Sequence, residues 1–251
     1  MSNTKNQHIQ FQPSRFQDQL SGTEGQILLG AFKSIAEIGI SSTTVRTIAK
    51  KAGLSSGIVH YYFEDKTELL SRLLGVLYNS LISNVGAIHV ADLSPQEKID
   101  ALLKRGLSLF TDRQDEWVVL SSFWIQSIGK DSKLGVLHRK MNHRFRVAIA
   151  KILEKMMGGF AGRARDIAFL MIGAIEGMVF QYALDPSHTD PEKSVHLLKE
   201  LVYKTVLARD AESLCKGGLR KPSRVIRKRD ISRSKLSCRR ILQDSKTKKV
   251  R

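Results

Sequence analysis

From Glu24 to Leu207 the apolar residues recur three and four positions apart, and nowhere do they alternate every second residue as in a half-buried strand. That pattern limits the chain to helix packed on helix. The first stripe, Ile27, Leu28, Ala31, Phe32, Ile35 and Ile38, is closed by Gly39, a residue that suits a helix C-terminus. The hydroxyls of Ser41 to Thr44 precede a short second helix carrying Val45, Ile48, Ala49 and Ala52, which Gly53 ends. Ser55 and Ser56 can cap a third short helix reaching Tyr62 and Phe63. A long helix then starts at Lys66 with Leu70, Leu73, Leu74, Leu77 and Leu81 on one face and runs to about Val85.

Five further helices follow. Ser94-Pro95 opens one with Ile99, Leu102, Leu103 and Phe110 on its face, because proline suits the first helical position. Trp117, Leu120, Trp124, Ile125 and Ile128 mark the next. Leu134 to Met156 marks a long one stopped by Gly158-Gly159. Residues 163–184 are strongly apolar, with Gly173 and Gly177 one turn apart, and the last helix runs from about Pro191 to Leu207. The 163–184 segment is interrupted by Glu176 and Gln181, so its uninterrupted apolar run is too short for a bilayer and no membrane partner is expected. Two readings of it stand: with the last helix it supplies a four-helix interface to a symmetric copy, or it is the core helix of a monomer.

Charge separates a body from a tail. The chain holds 41 Lys and Arg against 24 Asp and Glu, a net +17. Residues 211–251 carry 15 of these cations and 3 of the acids, while residues 1–210 carry 26 and 21. The tail lacks apolar periodicity and is expected to be disordered. It is either a phosphate-binding arm or a solvated extension. Residues 1–20, polar and Gln-rich, are expected to be flexible. With two cysteines and no apolar leader, the sequence points to the cytoplasm.

Catalytic chemistry has little to stand on. His138 and His143 lie five apart, off the same-face spacing of a metal pair. There is no Gly-rich phosphate loop, nucleophile elbow or HExxH, and Cys215 has no identifiable histidine partner. No catalytic residue, metal site or cofactor is expected.

Residues 41–70, SSTTVRTIAKKAGLSSGIVHYYFEDKTELL, carry the chemistry. Two short helices separated by AGLSS form a helix-turn-helix, with Ala49 and Ala52 small enough for close packing. The second short helix presents Ser55, Ser56, Gly57, His60, Tyr61 and Tyr62, whose hydroxyl, imidazole and phenol groups suit base edges and phosphates. Lys50, Lys51 and Lys66 add charge, and Thr43 and Thr44 stand at a helix N-terminus, where hydroxyls and backbone N–H groups can grip a phosphate. Val45, Ile48, Ala49, Leu54, Ile58 and Phe63 are expected in the core, along with one of the two tyrosines.

The segment TTVRTIAKKAGLSSGIVHYYFEDKTELL resembles the DNA-binding domain of TetR/AcrR-family regulators over about thirty contiguous positions. The resemblance implies an all-α fold of about nine helices: a three-helix DNA-binding domain, here 21–66, and a helical ligand-binding and dimerisation domain, here 67–210. It implies that Thr44 and Arg46 contact the DNA backbone, that Ser55, Ser56, Gly57 and His60 face the groove, and that Tyr61, Tyr62 and Lys66 grip phosphates. Many relatives carry tyrosine where this chain has His60.

Residues 115–207 are similar to the second domain of the choline-responsive, BetI-like subgroup, on the strength of the FW pair, the following LGVLH and Arg-rich stretch, and AFLMIGAIEGMVFQYAL with Glu176 in the acidic position. The resemblance implies a quaternary ammonium effector such as choline or betaine aldehyde. Trp117, Phe123, Trp124 and Phe180 would cage the cation and Glu176 would balance it; the other reading of these aromatics is plain core. The expected function is a dimeric, sequence-specific repressor released from a palindromic operator by a small molecule. The rivals are a non-specific nucleic-acid binder driven by the tail and a ligand-binding protein with a vestigial helix-turn-helix.

Overall fold

The structure is a computed structural model, and it describes residues 16–207 apart from Phe110, Asp112 and Lys130. The basic tail and most of the N-terminal segment, on which two of the sequence expectations fall, lie outside these residues. Among the described residues there are nine α-helices and no strand: α1 Gly22–Ser42, α2 Val45–Ala52, α3 Ser56–Tyr62, α4 Lys66–Val90, α5 Pro95–Leu107, α6 Gln114–Ser127, α7 Lys133–Met156, α8 Ala161–Leu184 and α9 Pro191–Leu207.

The helix ends follow local chemistry. Gly39 breaks α1 with a left-handed φ of 75°, and Gly53 ends α2 at φ 70°. Thr44 and Thr47 form a reciprocal capping box at the start of α2, as Ser94 and Glu97 do at α5. Asp65 caps α4 through the Glu68 N–H.

Two apolar cores lie along one helical frame. The first joins α1, α2 and α3 to the first half of α4 through residues such as Ile27, Phe32, Ile48, Val59, Leu69 and Leu73, and it also takes in Val119, Phe123 and Met141 from α6 and α7. The second collects Val85 and Ile88 of α4 with α5, the later part of α7, α8 and α9. Helix α4 therefore enters both, and Phe145 of α7 packs against both. Each fully buried Leu, Ile or Phe contributes about 1.5–3 kcal/mol, so displacing α4 would disturb both cores together.

Three local expectations are corrected. Phe16, in the segment expected to be flexible, is fully buried at the head of a 3₁₀ turn, Phe16–Gln19, with its ring 4.5 Å from that of Phe32. Ile58, expected in the core, is exposed, and its neighbour Val59 fills the place. On a seven-residue helix crossing the core once, a single inward position suffices, and the pitch gives it to Val59. Neither tyrosine of the Tyr61/Tyr62 pair is buried: their rings meet edge-on, 5.4 Å apart, in solvent.

Candidate nucleic-acid interface and effector cavity

Helix α3 can stand off the body because α2 sits unusually close to α1. A Cβ built on Gly30 would lie 2.8 Å from the Ile48 carbonyl oxygen and 2.9 Å from the Ala52 Cβ. Glycine at 30 and alanine at 52 together set the seat of the helix-turn-helix. Gly30 is absent from the sequence expectations; its only sequence signal is a glycine inside a helical stripe.

A hydroxyl network locks the α1–α2 corner. Thr43 Oγ1 donates to the Gly39 carbonyl at 2.8 Å and lies 3.3 Å from Ser34 Oγ, which donates to Thr47 Oγ1 at 3.1 Å. Thr43 is fully buried. Its expected place at a DNA phosphate is therefore corrected: it is a buried structural hydroxyl, bonded to the Gly39 carbonyl that also accepts the Thr43 N–H and lying against Ser34.

The remaining expected contact residues form one surface. Thr44 and Arg46 at the start of α2, and Ser55, Ser56, Gly57, His60, Tyr61 and Tyr62 along α3, are all exposed. Ser55 spends one acceptor lone pair on the Ile58 N–H, which leaves its hydroxyl hydrogen for an outside acceptor, while Thr44 accepts from the Thr47 N–H and donates to Thr47 Oγ1 at 3.4 Å. Tyr61 is 85% exposed, its ring meeting that of Tyr62 and otherwise standing in solvent. Lys66 is only partly exposed: its Nζ donates to the Ile40 carbonyl at 3.0 Å, and burial lowers its pKa. Lys51 pairs with Glu37.

In the helical body a cavity of about 100 Å³ lies between α4, α5, α7 and α8. Its walls are mainly aliphatic, with Leu102, Ile149 and Ile175 among them, and its polar groups are Asn84, Arg105 and Glu176. Burial pushes the Glu176 carboxyl up to about 8, against the opposing pull of Arg146. The Arg105 guanidinium donates from Nη1 to Ser108 Oγ at 3.0 Å and from Nη2 to Glu116 Oε2 at 3.2 Å. Glu116 in turn receives Arg113 at 2.9 Å from Nε and at 2.5 and 2.7 Å from Nη2, and both residues of that pair are buried.

Of the five residues expected to form a cation cage, Glu176 alone lines this cavity. Trp117 and Phe180 stack edge-to-face on each other at 4.7 Å. Phe123 is fully buried in the other core. Trp124 lies near the Tyr78 hydroxyl, which meets His138 Nε2 at 3.0 Å, while Nδ1 of that imidazole meets Ser127 Oγ at 2.9 Å. The aromatics on α6 spread around the helix and are drawn into different cores, so their spacing did not translate into one cage. The aromatic at the cavity is Phe145, and Asn84, Arg105 and Phe145 were not marked by the sequence, where each reads as an ordinary helix-face residue.

A helix-turn-helix with an exposed polar reading helix, set on a helical body holding a cavity, defines a one-component DNA-binding regulator. The comparisons agree. The family model for bacterial regulatory proteins of the tetR family matches residues 27–73, and that for the BetI-type transcriptional repressor C-terminal domain matches residues 95–206. The regulator BetI of Stenotrophomonas maltophilia is 30% identical over 173 residues, covering 67% of this chain and 85% of the relative. The nicotine-responsive repressor HdnoR of Paenarthrobacter nicotinovorans is 27% identical over 170 residues, covering 64% and 84%. A transcriptional regulator from Rhodococcus shares the fold with TM-score 0.62 at 24% identity, covering 74% of this chain and 96% of that one. A Saccharomonospora viridis regulator solved with choline does so with TM-score 0.60 at 20% identity, covering 71% and 94%. The chain belongs to the TetR family of bacterial transcriptional regulators, with a BetI-type C-terminal domain, and is not an enzyme.

Proposed function

We propose that the protein is a repressor that binds a palindromic operator as a homodimer and leaves it when a small molecule fills the cavity between α4, α5, α7 and α8. The observation that carries this reading is α3 itself. One residue, Val59, anchors it, and every other position from Ser55 to Tyr62 is exposed, with the side chains of Ser55, Ser56, His60, Tyr61 and Tyr62 of the kinds that pair with base edges and phosphates. A folded protein without a partner for that surface has no reason to hold Tyr61 in water.

Dimerisation is supported by α8 and α9. Phe169 and Leu170 of α8 and Leu197 and Leu201 of α9 are more than half exposed, and nothing lies within 4 Å of a Cβ built at Gly173 or Gly177. By length and composition α8 could cross a membrane; paired with α9, its open face is instead suited to a symmetric four-helix contact. Two copies would carry two α3 helices into successive major-groove faces, in the cytoplasm where such DNA lies. Helix α4, entering both cores, is the lever that links cavity to reading head.

The test is binding of the full-length protein to the DNA upstream of its own gene, with competitor DNA, across a salt series. Protection of a palindrome that Tyr61→Ala abolishes without lowering Tm supports the reading. Binding that ignores Tyr61→Ala, shows no preferred sequence and collapses steeply with salt assigns the binding to the basic tail instead.

A further inference from the structure

The polar end of the cavity sets the Arg105 guanidinium beside the Glu176 carboxyl. Glu116 has one charge and holds two guanidiniums. Arg113 takes it bidentately from within the core, at 2.5 and 2.7 Å from Nη2, whereas Arg105 reaches it through a single contact of 3.2 Å from the cavity wall. Arg146 lies near Glu176 and over the Phe169 ring. Of these charged groups, Arg105 and Glu176 line the cavity itself. Burial favours the neutral Glu176 carboxyl, which leaves Arg105 as the charge on the wall and makes that carboxyl a donor. A quaternary ammonium, which offers no acceptor and brings a further positive charge, meets the wrong field here.

We propose that the cavity binds a monocarboxylate with an apolar tail, its carboxylate accepting from Arg105 and its tail lying against Leu102, Ile149 and Ile175. This rests on the reading of the chain as an effector-released regulator and names the effector's class. The volume of about 100 Å³, two thirds of an engineered cavity of about 150 Å³ that takes benzene, limits the tail to a short acyl chain or at most a single ring. The carboxylate would compete with Glu116 for the one guanidinium it holds loosely. Because Glu116 stands in the first turn of α6, this competition acts directly on α6.

The test uses the full-length protein, calorimetry, and four probes: hexanoate, benzoate, hexylammonium and choline. The two carboxylates are expected to bind, to raise Tm and to displace operator DNA, with the two cations silent. Arg105→Gln should weaken hexanoate at least tenfold. Ile175→Phe, which fills the cavity and touches no charge, should abolish binding even if the Arg105 variant folds poorly. Glu176→Gln should leave hexanoate binding equal or tighter. Choline or hexylammonium binding that Glu176→Gln abolishes, or no carboxylate binding at millimolar concentration, overturns the proposal. Carboxylate binding by a protein that recognises no DNA sequence would sink the regulator reading and leave the cavity assignment standing; specific DNA binding with no carboxylate response would do the reverse.

Discussion

Gln126 at the end of α6 donates from Nε2 to Ser41 Oγ at the end of α1, 2.7 Å away. The opposite end of the same helix holds Glu116, which meets Arg105 at the cavity. Ten helical steps, about 15 Å, therefore separate the contact with Arg105 from the contact at the base of the DNA-binding head. If α6 transmits effector binding, Gln126→Ala should leave effector affinity and operator affinity nearly unchanged one at a time and weaken only their coupling. One solvent-facing hydrogen bond is worth about 0.5–1 kcal/mol, so the effector's shift of operator affinity should shrink by about two- to fivefold. Operator titrations with and without saturating effector measure this. An undiminished shift would place the transmission wholly on α4.

Glu116→Gln tests the other end. The variant keeps the shape and removes the charge that neutralises buried Arg113, a residue 1% exposed. Breaking one side of a buried pair costs about 3–5 kcal/mol. Tm should fall by about 6–20 °C for a chain of this size. A change under about 2 °C would mean that water reaches Arg113 and screens it.

The reading head was legible in the sequence because its chemistry is local. Thr44 as cap, Gly53 as left-handed terminator and the polar run from Ser55 to Tyr62 each follow from residues within one turn. Thr43 was misplaced because its burial depends on Ser34, nine residues away, and on the Gly39 carbonyl. Ile58 and Val59 could not be told apart on a helix of under two turns. The cavity was the least legible part. Its walls come from four helices, and which of Trp117, Phe123, Trp124 and Phe180 would meet there depended on crossing geometry that periodicity does not encode.

Gly30→Ala should loosen the reading head. The added Cβ would stand 2.8 Å from the Ile48 carbonyl oxygen, a backbone atom that cannot swing aside. Helix α2 must shift, at a cost of about 1–3 kcal/mol typical of overpacking. The helix propensity gained by alanine, about 1 kcal/mol, offsets part of this. Operator affinity should fall by more than the stability does, since α3 rides on α2. A Tm rise with unchanged DNA binding would show that α1 and α2 are not in fixed contact.

His138 should govern part of the acid sensitivity. Burial lowers its pKa to about 4, from an ordinary value of 6.5. The folded protein resists protonating this imidazole and the unfolded chain does not. Its effect is therefore absent above pH 6.5, and stability is lost as pH falls from 6.5 towards 4, by up to about 3 kcal/mol. His138→Gln keeps hydrogen-bonding capacity beside Tyr78 and Ser127 and removes the titration. The difference in unfolding free energy between wild type and variant should slope across that window and be flat above pH 7. A difference that is constant from pH 7 to pH 4.5 would mean the ring is protonated in the folded state.

Thr43→Val and Tyr61→Phe separate folding from binding. Valine matches threonine in shape but cannot donate to the Gly39 carbonyl or meet Ser34, so the buried corner loses its hydroxyl link. Losing a buried hydrogen bond costs about 1–2 kcal/mol, or about 3–6 °C in Tm. Operator affinity measured well below that Tm should change little, because Thr43 presents nothing to the outside. Tyr61→Phe removes one oxygen from a side chain 85% exposed and should leave Tm unaltered. If the phenol grips a phosphate, the lost charge-assisted hydrogen bond should weaken operator binding by about tenfold. The opposite pattern, with DNA binding lost in Thr43→Val at full stability and intact in Tyr61→Phe, would restore Thr43 to the DNA interface and leave the exposed ring of Tyr61 without a role.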